Sequence, residues 1–160
     1  MHPIKTILVP TDFSAPTERA LAYAKSLAEA SGAALHLLHV IEDPFAAGVH
    51  MGMVTALPEG YFEQLEQQSR ARLSTLLTED EQQKYSAVIA TRMGYAATEI
   101  LNYVRDHGAI DLIVMATAGH GAIARLMIGS VTDRIVRSAP CPVLTVHPHD
   151  RHNGTAAQAA

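Results

Sequence analysis

The stretch Ile110–Val146, IDLIVMATAGHGAIARLMIGSVTDRIVRSAPCPVLTV, decides the fold of this chain. It opens with the apolar run Leu112–Met115, which is short and rich in branched side chains and therefore predicts a buried β-strand. The small residues of Ala116–Gly121 follow and predict a loop in which backbone amides can lie open. The dipeptide Gly129-Ser130 then leads into a short helix, predicted from Val131 to Ser138.

The start of this last helix is predicted to favour an anion. Ser130 and Asp133 have the S-x-x-D spacing of a capping box, so Ser130 is the expected N-cap residue. A helix start has unpaired backbone amides and the positive end of the helix dipole, and both attract negative charge. Free amides at Gly119 and at Gly129-Ser130 would flank one pocket above a strand end. This arrangement suits a phosphate chain.

The same residues resemble the nucleotide-binding signature of the universal stress protein family, G-x2-G-x9-G-(S/T). The spacing here is Ala116-x2-Gly119-x9-Gly129-Ser130, with alanine in place of the first glycine. The stretch ILVPTDFS at Ile7–Ser14 is similar to the family's first strand and turn, and LLHV at Leu37–Val40 is similar to its second strand. Because the similarity extends from about Lys5 to His147, the chain is identified as a member of this family.

Length and charge narrow the classes of function that are expected. At 160 residues we expect one domain, formed by residues 1–147, and a disordered tail at 148–160. The net charge is −4 and no basic run occurs, so binding to nucleic acid or to an anionic membrane is not expected. No apolar run is long enough to span a membrane and no signal-peptide pattern occurs, so we expect a cytoplasmic protein. The single cysteine, Cys141, cannot form an intramolecular disulfide.

Strand patterns and helix patterns alternate along the whole chain. Strands are predicted at Ile4–Pro10, Ala34–Ile41, Ser86–Thr91, Leu112–Met115 and Val143–His147. Helices are predicted at about 15–30, 59–77, from the turn at 94–96 to 107, and at 131–138, with a polar join at 78–83. Segment 42–58 has no clean periodicity and is interpreted as a mobile surface loop, or else as a lid or partner surface. The alternation predicts an α/β fold, with a single open five-stranded parallel sheet and helices on both faces.

Residues far apart in the sequence are predicted to converge at one edge of this sheet. In open parallel sheets, ligands bind outside the carboxyl ends of the strands. Asp12, Val40 and the Ala116–Gly119 loop all lie at such ends, so they are expected to share one crevice. The resemblance further implies a Rossmann-like fold with the strand order 3-2-1-4-5.

The resemblance also implies what the site residues contact. Relatives use the aspartate that matches Asp12 to accept from ribose hydroxyls or the adenine amine, although an aspartate here can also form a turn by capping its own backbone. Val40 would lie beside the base, unless it is a plain core valine. Phosphates would contact the glycine-rich segment and the helix start. The expected nucleotide-binding residues are Pro10, Thr11, Asp12, Val40, Met115, Ala116, Gly119, His120, Gly129, Ser130, Val131 and Thr132.

Two of these positions bear on how well a nucleotide would bind. If the site requires positive φ at Ala116, its Cβ costs roughly 1 kcal/mol or more. If it requires only a close approach of the backbone, one methyl group can still fit. His120 takes the place where relatives often carry a basic residue. A phosphate contact through its imidazole should weaken above its pKa, and an exposed loop histidine is the alternative interpretation.

Other kinds of site are not supported by the sequence. No lysine follows any glycine, so a Walker-type phosphate loop is absent. Among the nine histidines, His36 and His39 lie three apart on a predicted strand and therefore point to opposite faces, so no metal site is expected. No nucleophile elbow G-x-S-x-G occurs, and we assign no catalytic residue.

Three hypotheses about function follow. The first is a stress-response regulator that binds ATP, or ADP or AMP, with Mg²⁺ on the phosphates and signals its occupancy to an unknown protein partner. The resemblance implies that this protein is a homodimer in which the last strand, Pro142–His147, pairs with its counterpart across an exposed sheet edge. The second is a dimeric interaction module that has lost nucleotide binding, which Ala116 favours. The third is an enzyme such as a slow ATPase.

Overall fold

The computed structural model describes residues 3–42, 59–117 and 129–147. Within these ranges the chain forms five β-strands and five α-helices. The strands are β1 (Thr6–Pro10), β2 (Ala34–Ile41), β3 (Val88–Met93), β4 (Leu112–Ala116) and β5 (Val143–Val146). The helices are α1 (Ala15–Ser31), α2 (Tyr61–Ser74), α3 (Glu79–Lys84), α4 (Ala96–His107) and α5 (Ser130–Ser138).

The five strands form one parallel sheet in the order β3-β2-β1-β4-β5, which confirms the predicted fold class and strand order. Strand β1 lies at the centre, where Ile7 is level with Leu35 of β2 and with Leu112 of β4. Its residues Ile7, Leu8 and Val9 are at most 1% exposed. Burial on both faces explains why this strand reads as an unbroken apolar run.

Two hydrophobic cores lie on opposite faces of the sheet. Side chains that alternate along β4 divide between them, because successive residues of a strand point to opposite faces. Val114 belongs to the core under α1 and α2, whereas Ile113 belongs to the core under α4 and α5. The molecule therefore has three layers, and the carboxyl ends of all five strands lie along one edge.

The acidic segment after α2 departs from the sequence-based prediction. Residues 78–83 were expected to be a polar join, but Glu79–Lys84 forms the short helix α3. A complete capping box stabilises it, in which Thr78 Oγ1 accepts from the Glu81 amide at 3.2 Å and Glu81 Oε2 accepts from the Thr78 amide at 3.0 Å. No residue of α3 is buried, so the apolar periodicity that marks most helices is missing.

Helix boundaries elsewhere follow the sequence closely, with one correction. Gly108 ends α4 in the left-handed conformation at φ 56°, as the pair His107-Gly108 predicts. The capping box predicted at the start of α5 is wrong. Gly129 is the N-cap residue and Ser130 is already the first residue of the helix, so the predicted cap by the Ser130 side chain does not form.

The predicted loop beyond Glu42 and the predicted tail from 148 onward lie outside the described residues. None of the helices in the described part of the chain has the length and apolar character needed to span a bilayer.

Candidate functional site

A cavity of about 700 Å³ opens at the carboxyl ends of β1, β2 and β4. This volume is within the range of small-molecule sites, which is roughly 300–1,000 Å³. Except for Gly119 and His120, which lie outside the described residues, all the predicted nucleotide-binding residues line it. They are Pro10, Thr11, Asp12, Val40, Met115, Ala116, Gly129, Ser130, Val131 and Thr132.

Several lining residues were not predicted from the sequence. His39 and Glu42 flank the end of β2 and could have been found by the strand-end rule that identified Val40. Tyr61, Leu65 and Ser69 reach the cavity from α2. Their spacing of four residues places them on one face of that helix, but only the packing of α2 over the sheet shows that this face borders the site.

The turn between β1 and α1 holds Asp12 in the cavity wall. Asp12 Oδ1 accepts from the backbone amide of Ser14 at 3.0 Å and from the hydroxyl of Thr17 at 3.3 Å. Phe13, which lies between Asp12 and Ser14 in the sequence, has φ 62°. This conformation costs a non-glycine residue energy and is often found at functional sites. Asp12 therefore does form the turn, as the alternative interpretation proposes, and the same bonds fix its carboxylate at the cavity.

His39 is held beside this turn in a defined tautomer. Its Nδ1 donates to the carbonyl oxygen of Thr11 at 2.8 Å, and its ring lies 4.4 Å from the ring of Phe13. The guanidinium group of Arg72 lies 4.2 Å from the centroid of the same Phe13 ring. Burial is the main cause that lowers the pKa of His39 below its usual value, and the positive charge of Arg72 lowers it further.

The start of α4 is capped by a carboxylate at the cavity rim. Glu42 Oε1 accepts from the backbone amide of Ala96, the first residue of α4, at 3.2 Å. A negative charge at this position also interacts favourably with the helix dipole. At α1, Asp12 instead accepts from the amide of Ser14, the N-cap residue that precedes the first turn of that helix.

The start of α5 differs from the starts of α1 and α4. The first intrahelical bond is donated by the Asp133 amide to the Gly129 carbonyl at 2.9 Å, so the amides of Ser130, Val131 and Thr132 precede the hydrogen-bond ladder. Gly129 has no side chain that could cap this end, and no acceptor for these three amides occurs among the described residues. The expectation of an open amide at Gly129 is wrong, because that amide donates to the carbonyl of Thr117 at 2.7 Å.

Ala116 fits its position without backbone strain. It is the last residue of β4, lies level with Val146 of β5 and is 5% exposed. Among the described non-glycine residues, positive φ occurs only at Phe13 and Ser86, so Ala116 does not have it. Its methyl group packs into the core under α1, and its carbonyl oxygen accepts from the Thr132 hydroxyl at 2.9 Å.

The charged groups that line the described part of the cavity are mainly acidic. Asp12 and Glu42 are carboxylates, and the described lining residues include no lysine or arginine. No group of three or more potential metal ligands occurs in the described ranges. His36 lies on the other face of the sheet from His39, where its Nδ1 is 2.9 Å from the Tyr103 hydroxyl. Backbone amides and hydroxyl groups, and no lysine or arginine, are therefore the donors that the described part of the wall offers to an anion.

Comparisons with known proteins agree on one family. The family model described as "Universal stress protein family" matches residues 3–147. A universal stress protein of Thermus aquaticus is 34% identical over an alignment of 147 positions, which covers 89% of this chain and 98% of that protein. The chain is also similar to the solved structure of protein MJ0577 from Methanocaldococcus jannaschii, with a TM-score of 0.75, 24% identity and coverage of 93% and 99% of the two chains. An Arabidopsis thaliana universal stress protein family protein with AMP bound has a TM-score of 0.56, 19% identity and coverage of 89% and 91%.

The half-buried imidazoles predict how stability depends on pH. An unfolded histidine titrates near pH 6.5, whereas burial lowers the pKa of both His36 and His39 in the folded protein. The unfolded state therefore binds more protons below about pH 6.5, and the free energy of unfolding should fall as the pH drops below that value. Urea denaturation between about pH 7.5 and 5.5 measures this slope. His39→Gln and His36→Gln should each make it shallower, and the double variant should make it shallowest. Equal slopes in the parent and the double variant would contradict the prediction.

Proposed function

The chain belongs to the universal stress protein family, and we propose that it binds an adenine nucleotide in the cavity and regulates a stress response through its occupied state. The observation that carries this proposal is the start of α5 in the cavity wall, where no described residue accepts from the first-turn amides. Three first-turn amides and the positive end of the helix dipole meet there, and phosphate oxygens would satisfy them.

The nucleoside would lie against the ends of β1, β2 and β4. Leu38, Val40 and Met115 provide apolar surface for the base. The Asp12 carboxylate, fixed by Ser14 and Thr17, would accept from ribose hydroxyls. The bound AMP in the Arabidopsis thaliana protein supports adenine as the base.

The phosphates would extend from there to the start of α5. The amides of Ser130, Val131 and Thr132 would donate to the phosphate oxygens, and the Ser130 hydroxyl would add a further contact. Mg²⁺ would accompany ATP or ADP. Carboxylate oxygens such as those of Asp12 and Glu42 suit this ion, and its charge would offset their repulsion of the phosphates.

The geometry at Ala116 supports nucleotide binding over the alternative of an interaction module that has lost it. That alternative depends on a need for positive φ at the first glycine position of the motif, and Ala116 ends an ordinary extended strand. Its methyl group lies in the core under α1. We therefore expect the substitution to leave the site competent for binding. Any ATP hydrolysis should be slow, since no catalytic base is assigned.

We expect a cytoplasmic homodimer that signals to a protein partner not yet identified. Strand β5 forms one edge of the sheet, and only β4 pairs with it among the described strands. Leu144 on this edge is 37% exposed, which is high for a large apolar side chain in a strand. Pairing with β5 of a second copy would satisfy the open backbone groups and cover this side chain.

Nucleotide binding can be tested directly on the purified protein. Mass spectrometry of small molecules released by denaturation should find an adenine nucleotide, and added ATP should raise the melting temperature in a concentration-dependent way. Asp12→Asn keeps an oxygen that can accept from Ser14 but removes the charge. It should weaken adenosine binding in calorimetry by about 10-fold, the loss expected for one hydrogen bond to a charged group. No released nucleotide together with no thermal shift would contradict nucleotide binding and favour the interaction module.

The role of the main chain at α5 can be separated from that of the Ser130 hydroxyl. Proline is well tolerated at the first residue of a helix, and Gly129 has φ −60° and ψ 152°, which is compatible with a following proline. Ser130→Ala removes the hydroxyl, whereas Ser130→Pro also removes the amide. Calorimetry should show ATP affinity falling about 10-fold further in Ser130→Pro than in Ser130→Ala, with adenosine affinity unchanged in both. Equal ATP affinities in the two variants would argue against the amide contact.

The proposed dimer interface can be tested with matched substitutions at the two sheet edges. Leu144→Lys places a charge on the apolar β5 edge and should convert the dimer to a monomer in sedimentation velocity. Met93, on the opposite edge strand β3, is 42% exposed and provides the control. Met93→Lys should leave the dimer intact. Dissociation by both substitutions, or by Met93→Lys alone, would exclude β5 as the specific interface.

A further inference from the structure

A second cavity of about 200 Å³ adjoins the main cavity between the starts of α4 and α5. The two cavities lie against each other and share the lining residues Glu42, Ala96, Ser130 and Val131. We call the smaller one the side chamber. Unlike the described wall of the main cavity, its wall contains a permanent cation, the guanidinium group of Arg134.

The helix geometry explains why Arg134 reaches the side chamber. Arg134 lies four residues after Ser130 and is therefore one turn along α5 on the same face. Side chains of an α-helix lean toward its N-terminus, so the side chain of Arg134 extends back over the first turn of the helix. This is the turn whose amides precede the hydrogen-bond ladder.

Arg134 is also unneutralised, in contrast to a second arginine on the same helix. The ion pairs among the described residues use other cations, and no described carboxylate lies within ion-pair distance of Arg134. Arg137, three residues further along, donates from Nε to both carboxylate oxygens of Asp133 at 3.0 Å. Arg137 does not line the side chamber. The cation that faces the chamber is thus the one still available to a ligand.

We propose that the side chamber binds the terminal phosphate of a nucleoside triphosphate, with Arg134 as its cationic contact. This rests on the proposed function, since the nucleoside would occupy the main cavity beside Asp12. The chain of phosphates would pass the first-turn amides of α5 and end at the guanidinium group, which can donate two parallel hydrogen bonds to phosphate oxygens.

The side chamber would make the site selective for phosphate number. The single phosphate of a nucleoside monophosphate would lie at the first-turn amides on the main-cavity side and would not enter the side chamber. The Glu42 carboxylate in the chamber wall is engaged by the Ala96 amide at 3.2 Å, and Mg²⁺ on the phosphates would screen its charge. Arg134 would therefore contribute to ATP affinity and not to AMP affinity.

Calorimetry of the full chain with ATP and Mg²⁺, and separately with AMP, tests this assignment. The variants are Arg134→Gln and the control Arg137→Gln, which removes the same charge from the same helix outside the chamber. Arg134→Gln should lower ATP affinity about 10-fold and change AMP affinity by less than about twofold. Arg137→Gln should change both affinities by less than about twofold.

The outcomes separate this inference from the proposed function. If the parent binds ATP and AMP but Arg134→Gln leaves their affinity ratio unchanged, the side chamber is not a phosphate site and nucleotide binding stands. Equal losses in the two arginine variants, or a parent that binds ATP no more tightly than AMP, likewise overturn the inference alone. A parent that binds neither nucleotide overturns both.

Discussion

Backbone amides at the starts of three helices dominate the edge of the sheet where the cavity lies. Parallel order places the carboxyl ends of all strands at this edge, so α1, α4 and α5 begin there and present amides that need acceptors. Glu42 accepts from the first amide of α4, and Asp12 accepts from the N-cap residue of α1. At α5, no described side chain accepts from the first-turn amides. An external anion is the acceptor that would complete the pattern.

The amides and the carboxylates at these helix starts would affect phosphate binding in opposite ways. Amides at a helix start carry fixed partial charges, so their attraction for an anion does not depend on protonation. The carboxylates at the neighbouring helix starts oppose a phosphate nearby, because like charges repel. A divalent cation and the guanidinium group of Arg134 would offset that repulsion. Successive phosphates of the nucleotide would then have different partners: first the amides at the start of α5, and then the guanidinium group of Arg134.

Sequence patterns predicted the buried elements well, because burial leaves a periodic signal. The predicted second strand coincides with β2, and the predicted fourth strand is only one residue shorter than β4. Helix α3 was missed because it is acidic and fully outside the core, so no apolar spacing marks it. The spacing of Ser130 to Asp133 predicts an N-cap at Ser130, but the N-cap residue is Gly129. The helix begins at Ser130, one residue earlier than predicted. A tertiary hydrogen bond from the Gly129 amide to the Thr117 carbonyl accompanies this earlier start.

The sequence by itself determined the α/β class, the helix stop at Gly108 and the convergence of Asp12, Val40 and Ala116 on one edge. These features depend on apolar runs, on glycine conformation and on the rule that parallel strands end together, all of which are local or topological. Only the tertiary structure decided that α2 closes one wall, that Glu42 caps α4 and that Arg134 faces a side chamber. Those contacts depend on how helices pack over the sheet, and the spacing of residues within a single helix does not record what lies opposite it.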